Sequence, residues 1–278
     1  YESEVAKEAS KIMDVPFSIG SAQDADYLSA VESGDMDTAQ AMVDARARKA
    51  GYDEEGYHGT AHPDIDVFES TFGGSLGSGI YVTVSDGAED AATQFANRAV
   101  TGYEAKQKGL SETKVMPLYI KTDSTLDLSN VTDGDFARIL EAMPRTEADI
   151  RSLFGKGSDM DLASFDRYRK RFEAGVVEPT FLSNIFGQLA EEQAVFLKHA
   201  GYDSVQKDSS MRTPSGDISY TEMLLTSPNQ IKSADPVTYD SDGNVIPLSQ
   251  RFDAGRDEIS FSIGDTQMKD TLWTQAFN

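Results

Sequence analysis

The sequence predicts an α+β fold, on three observations. Apolar stripes at helical spacing mark residues 22–50 and 131–200. Short runs of β-type residues fall between those two blocks and again after the second. Few of these runs have a helix between one and the next, which disfavours a doubly wound parallel sheet. A chain of 278 residues is ample for a buried core, as one large domain or two small ones.

The elements follow in order. Residues 1–21 are mostly polar and read as a linker. Tyr27, Leu28 and Val31 share the face of a first short helix, which Gly34 stops. Asp35 can cap a second, whose stripe is Ala39, Met42, Val43, Ala47 and Ala50, with Gly51 at its end. β-Type runs follow at Tyr57 to Thr60, Ile80 to Val84 and Val115 to Lys121. Pro117 predicts an edge, a strand start or a bulge for the third. Ala88 to Arg98 has good helix formers. Residues 131–200 carry several helical stripes, including Phe136, Ile139 and Leu140, then Phe165, Tyr168 and Phe172, then Ile185, Phe186 and Leu189. Arg167, Arg169, Lys170 and Arg171 read as the solvated face of one of these helices. Gly201 ends the last. β character returns at Asp203 to Gln206 and Asp217 to Thr226, and Pro, Asp, Gly and Ser accumulate from Asp235 onward. The expected organisation is a linker over 1–21, a core over 22–130 and 201–239, a helical insertion over 131–200 and an irregular tail over 240–278. Phe17-Ser18-Ile19-Gly20 repeats as Phe261-Ser262-Ile263-Gly264, either as two unrelated turns or as a recurring linker of a larger protein. With no Met at Tyr1, the chain reads as a piece of a longer polypeptide.

Composition narrows the function. Acidic residues outnumber basic ones 47 to 25, for a net charge of −22. That argues against broad contact with nucleic acid or anionic lipid, both of which need Lys and Arg facing phosphates. No apolar run is long enough to cross a bilayer. The absence of cysteine excludes disulfides, thiolate metal sites and a Cys nucleophile. His58 and His62 are poorly spaced for a helical metal pair, so a zinc site has weak support. His199 closes a helix and reads as structural. There is no Walker-type sequence and no Gly-x-Ser-x-Gly elbow.

One constellation remains. Tyr57-His58-Gly59-Thr60 is followed by Gly77-Ser78-Gly79-Ile80-Tyr81-Val82-Thr83. Far downstream come Gly201-Tyr202-Asp203, Tyr220-Thr221-Glu222-Met223-Leu224-Leu225 and Asn229-Gln230-Ile231-Lys232-Ser233-Ala234. This pattern resembles ADP-ribosyltransferases of the diphtheria-toxin and poly(ADP-ribose) polymerase type, which carry His, Tyr and Glu on three core strands. It is most similar to the ADP-ribosyltransferase-like domains of large phage and mobile-element polyvalent proteins. The resemblance covers residues 57–96 and 201–234.

The resemblance implies a split β-sheet core, with NAD as co-substrate and no metal. It implies that Glu222, His58 and Tyr81 are catalytic, with His58 on the adenine-side ribose, Tyr81 stacked on nicotinamide and Glu222 on the other ribose. It also implies that Gly59, Thr60, Gly79 and Phe95 join His58 and Tyr81 in holding NAD, and that the loop 61–78 closes over it with its glycines as hinges. Ala92 stands where the polymerases have a small hydroxyl. The partners implied are NAD, a protein acceptor more than a nucleic acid, and other domains of a larger polypeptide. The place of action implied is the bacterial host cytoplasm, reached with a phage particle. Two other readings share this core. One is a catalytically silent domain serving protein interaction or virion packing. The other is an RNA 2′-phosphotransferase, which needs basic residues that these motifs lack. The presence of His58, Tyr81 and Glu222 together favours the transferase. Tyr220, two residues before Glu222, stands where arginine-modifying members carry a second Glu.

Overall fold

The structure is a computed structural model that describes residues 22–62, 65, 67–156, 158, 160–174, 179–240 and 242–253. Both copies of the Phe-Ser-Ile-Gly repeat and the expected linker 1–21 lie outside the described residues. Helices α1 (Ala22–Ser33) and α2 (Met36–Lys49) form an N-terminal hairpin. Asp35 caps α2 by accepting from the Thr38 N–H at 3.1 Å. Helices α3 (Ala88–Thr101) and α4 (Tyr103–Lys108) follow the third strand. The segment 131–200 holds α5 (Asp133–Ala142), α6 (Glu147–Phe154), α7 (Leu162–Glu173), α8 (Pro179–Leu189) and α9 (Gln193–His199). Thr132 with Asp135 and Thr146 with Asp149 make reciprocal capping boxes, which explains why two short helices start where they do.

Seven strands form one mixed sheet in the order β5-β6-β7-β3-β1-β4-β8, and β2 pairs with β3 off this path. The strands are β1 (Glu54–Thr60), β2 (Thr71–Gly74), β3 (Gly77–Val84), β4 (Lys114–Ile120), β5 (Thr125–Asp127), β6 (Ser204–Thr213), β7 (Gly216–Leu225) and β8 (Ile231–Ser233). Every pairing is antiparallel except β5 with β6. The sheet is split. β1 follows β4 along its whole length but pairs with β3 only at Gly56↔Val84 and Tyr57↔Thr83. The early part of β3 pairs instead with β2, at Thr71↔Gly79 and Gly74↔Gly77.

Alternation along the strands feeds two cores. Leu224 joins Leu126 and Val205 against Ile139, Ile185, Phe186 and Phe196 of the segment 131–200. Met223 and Leu225 join Ile80, Val82, Val84, Leu118 and Ile120 on the other side, under Phe68. Phe186 and Phe196 are fully buried, each burial worth about 1.5–3 kcal/mol, so the helices of 131–200 are fastened to the sheet. A third cluster packs Tyr27, Met42, Val43 and Ala47 of the N-terminal hairpin on Tyr52, Tyr119, Leu248 and Phe252.

The structure differs from expectation in three places. The segment 61–78 is not all loop, because it contains β2. Residues 242–253, expected in an irregular tail, are packed: Tyr239 bridges Val245, and α10 (Leu248–Arg251) buries Leu248 and Arg251. Tyr27 Oη and the backbone oxygens of Ser233, Asp235 and Pro236 accept hydrogen bonds from the Arg251 guanidinium. Finally, β4 is not an edge strand. The Pro117 carbonyl accepts from the Ala234 N–H at 3.0 Å, so the missing proline N–H faces the β8 side. It falls just beyond the β8 pairs, which span only Leu118 to Ile120.

Candidate active site

The split in the sheet opens a cleft of about 310 Å³, lined by Tyr57, His58, Gly59, Thr71, Gly74, Tyr81, Val82, Thr83, Phe95 and Glu222. Register explains how these side chains meet. Tyr57 lies opposite Thr83, Thr83 opposite Glu222, and Glu222 opposite Lys207 on β6. Tyr81 is two residues before Thr83, so it shares the face of Glu222. His58 follows Tyr57 directly and belongs to the other face. It reaches the cleft because β1 and β3 have already parted there.

The His58 ring is fixed on two sides. Its Nδ1 is 2.8 Å from the Tyr81 backbone oxygen, and its edge meets Phe68 with centroids 4.8 Å apart. A carbonyl oxygen only accepts, so Nδ1 carries the proton and Nε2 is left as an acceptor. Burial pulls the imidazole below its ordinary value, which favours the neutral ring. Tyr81 accepts from the Leu76 N–H and donates to the Gly77 carbonyl, each at 2.8 Å. Burial pushes its phenol well above the ordinary value. Glu222 accepts a hydrogen bond from the Ser75 hydroxyl. Phe95 meets Tyr220 edge-on at 5.9 Å, and the Arg98 guanidinium lies 5.9 Å from the Phe95 ring centre.

At Gly59 the backbone of α3 lies directly against β1. A Cβ there would fall 1.8 Å from the Ala92 carbonyl oxygen. Two of the residues expected to hold NAD are not in the lining. Thr60 is buried, and its hydroxyl accepts from the His62 N–H at 3.0 Å. Gly79 is buried, and a Cβ there would fall 2.6 Å from the Leu224 side chain. His199 is exposed in the last turn of α9. Among the described residues, no group of three or more His, Asp or Glu side chains is placed to hold a metal ion, and no helix is long and apolar enough to cross a membrane.

A family profile described as ADP-ribosyltransferase in polyvalent proteins matches residues 48–238, well over half of the chain. The chain belongs to that family. Comparison with curated proteins and with solved structures returns no match. The α+β fold with a seven-stranded mixed sheet is consistent with an ADP-ribosyltransferase. The profile runs from the end of α2 to just past β8, so the helices of 131–200 lie inside the matched region of the transferase domain.

Two residues that support the cleft without lining it escaped the sequence: Ser75, at the β2–β3 turn, and Gln193, which bonds the backbone on either side of Gly77. Ser75 carries no local signal. Gln193 does carry one: it sits at the head of a buried stripe with Phe196, Leu197 and Ala200. A lone amide in an apolar stripe must find partners nearby.

Proposed function

We propose that this domain transfers ADP-ribose from NAD to a macromolecular acceptor and releases nicotinamide. What carries the reading is the meeting of His58, Tyr81 and Glu222 at the cleft where β1 parts from β3. Breaking the glycosidic C–N bond expels neutral nicotinamide and leaves positive charge on the ribose. The Glu222 carboxylate supports that charge, as carboxylates do in glycoside hydrolysis. The Tyr81 ring offers a flat face to nicotinamide. His58 Nε2 accepts from a hydroxyl of the adenine-side ribose. Arg98 beside Phe95 and Lys207 opposite Glu222 give local positive charge for a dinucleotide in a chain of net charge −22.

With no acceptor present, water takes the ribose and the domain hydrolyses NAD. The same negative charge favours a protein acceptor over a nucleic acid. In this reading the domain acts on components of the bacterial host cytoplasm as one module of a larger phage or mobile-element protein. Incubation with labelled NAD and host lysate, followed by mass spectrometry, is the test. Nicotinamide release with label on host proteins is expected. NAD binding without nicotinamide release would instead support a silent domain of the same fold.

A further inference from the structure

One helix of the segment 131–200 is hydrogen-bonded to the backbone behind the cleft through the side chain of its first residue. Gln193 opens α9 and is 0% exposed. Both ends of its amide are used. Oε1 accepts from the Ser78 N–H at 2.7 Å, and Nε2 donates to the Leu76 carbonyl at 2.7 Å. These two groups flank Gly77, where the β2–β3 turn passes into β3. Gly77, the first residue of β3, has φ +101°, and a Cβ there would fall 1.8 Å from Gln193 Oε1, so only glycine leaves room for the amide. From the other side Tyr81 holds Leu76 and Gly77 through its hydroxyl. Ser75, next to Leu76, gives its own hydroxyl to Glu222. The turn and the start of β3 are therefore held by side chains from two elements.

We propose that Gln193 is a positioning residue for the transferase reaction. By fixing the turn it fixes the Ser75 hydroxyl, and through it the rotamer of the Glu222 carboxylate. The helices of 131–200 are then a working part of the site and not only a cover for the sheet. The inference rests on the reading of Glu222 as the catalytic carboxylate. Its physical basis is preorganisation: a carboxylate on a strand is free to rotate unless a neighbour selects one geometry.

The test is a double-mutant cycle of Gln193→Leu and Ser75→Ala, reading kcat and KM for NAD cleavage together with the melting temperature. Gln193→Leu keeps the volume and removes both hydrogen bonds. It should lower kcat by on the order of tenfold to a hundredfold with little change in KM. In the Ser75→Ala background it should cost little more, because the link to Glu222 is already cut. Equal losses in both backgrounds would overturn the proposal and leave Gln193 a merely structural residue. If Gln193→Leu does not fold, Gln193→Glu keeps the length and the acceptor while losing the donor to Leu76, and the same cycle is read on it. If the wild-type protein does not cleave NAD, the proposed function fails, and positioning is read from the 13C resonance of the Glu222 carboxylate. That resonance should move in both Ser75→Ala and the Gln193 variant. Movement in Ser75→Ala alone would overturn the proposal.

Discussion

The His58 ring donates through Nδ1 to the backbone oxygen of Tyr81 across 2.8 Å, bridging the two strands where the sheet has come apart. Two residues of one site are thus tied by one hydrogen bond, and the tie sets the tautomer. An imidazole with Nδ1–H presents Nε2 as an acceptor only while neutral.

NAD affinity should therefore depend on pH. Burial holds His58 below its ordinary value of 6.5, so in acid the unfolded chain takes up this proton first. The stability from the neutral ring is complete above about 6.5 and is lost as pH falls through the lower folded value. NAD binding should weaken over the same acid range, as Nε2 becomes a donor. Calorimetric titrations above and below the ordinary value test this. His58→Ala should bind more weakly, by about 1–3 kcal/mol, and lose the acid limb. An acid limb that persists in His58→Ala belongs to another group.

Glu222→Gln preserves shape and removes charge. NAD cleavage should fall by several orders of magnitude while NAD still binds, since the carboxylate is needed chiefly when positive charge develops. The comparison is nicotinamide release against binding affinity in the same variant. Turnover at the wild-type rate would remove Glu222 from the chemistry.

Tyr81 has two separable roles. Tyr81→Ala removes the ring and should weaken NAD binding by about 1–3 kcal/mol. Tyr81→Phe keeps the ring and removes the bonds to Leu76 and Gly77. It should bind NAD nearly as well but lose stability, by about 1 kcal/mol for each net hydrogen bond removed. Titration calorimetry and urea unfolding on the pair separate the two. Equal binding losses would show that the ring itself is not the contact.

Gly59→Ala should destabilise the fold by about 1–3 kcal/mol, because the new Cβ meets the backbone of α3 at Ala92 and one element must move. Urea unfolding measures it. A neutral result would show that α3 has more slack against β1 than its position implies.

Free arginine analogues should be poor acceptors. A carboxylate two residues before the catalytic Glu can grip a guanidinium in a bidentate manner, and Tyr220 cannot. Tyr220 is buried, packed with Ala91, Met211 and Phe95. Agmatine modification above a no-acceptor control would show that arginine recognition comes from another part of the surface.

Much of the fold was legible because its signals are local. The Asp35 cap, the Gly34 stop and the β-type runs around Tyr81 and Glu222 depend on near neighbours in the chain. The missed parts depend on distant ones. Lys207 to Thr213 extend β6 although Lys207, Asp208, Ser209 and Ser210 are polar, because β7 returns alongside them through Thr213↔Gly216. β2 and β8 are too short to show a period, and their partners are chosen by the sheet. The histidine, tyrosine and glutamate strands could be read from their motifs. That Ser75 would meet Glu222, 147 residues away, could not, because nothing near either residue encodes it.

The contact of α10 with α1 has a consequence for how such a module travels. Ser249 donates to the Asp24 carboxylate from its N–H and from its hydroxyl, each at 2.8 Å, while Arg251 meets Tyr27. The helices that precede and follow the matched region 48–238 therefore touch. A segment whose ends meet can be spliced into a host chain, or cut out of it, without changing the distance between the residues on either side. In a polyvalent protein that geometry lets neighbouring modules keep their spacing whether or not this one stands between them.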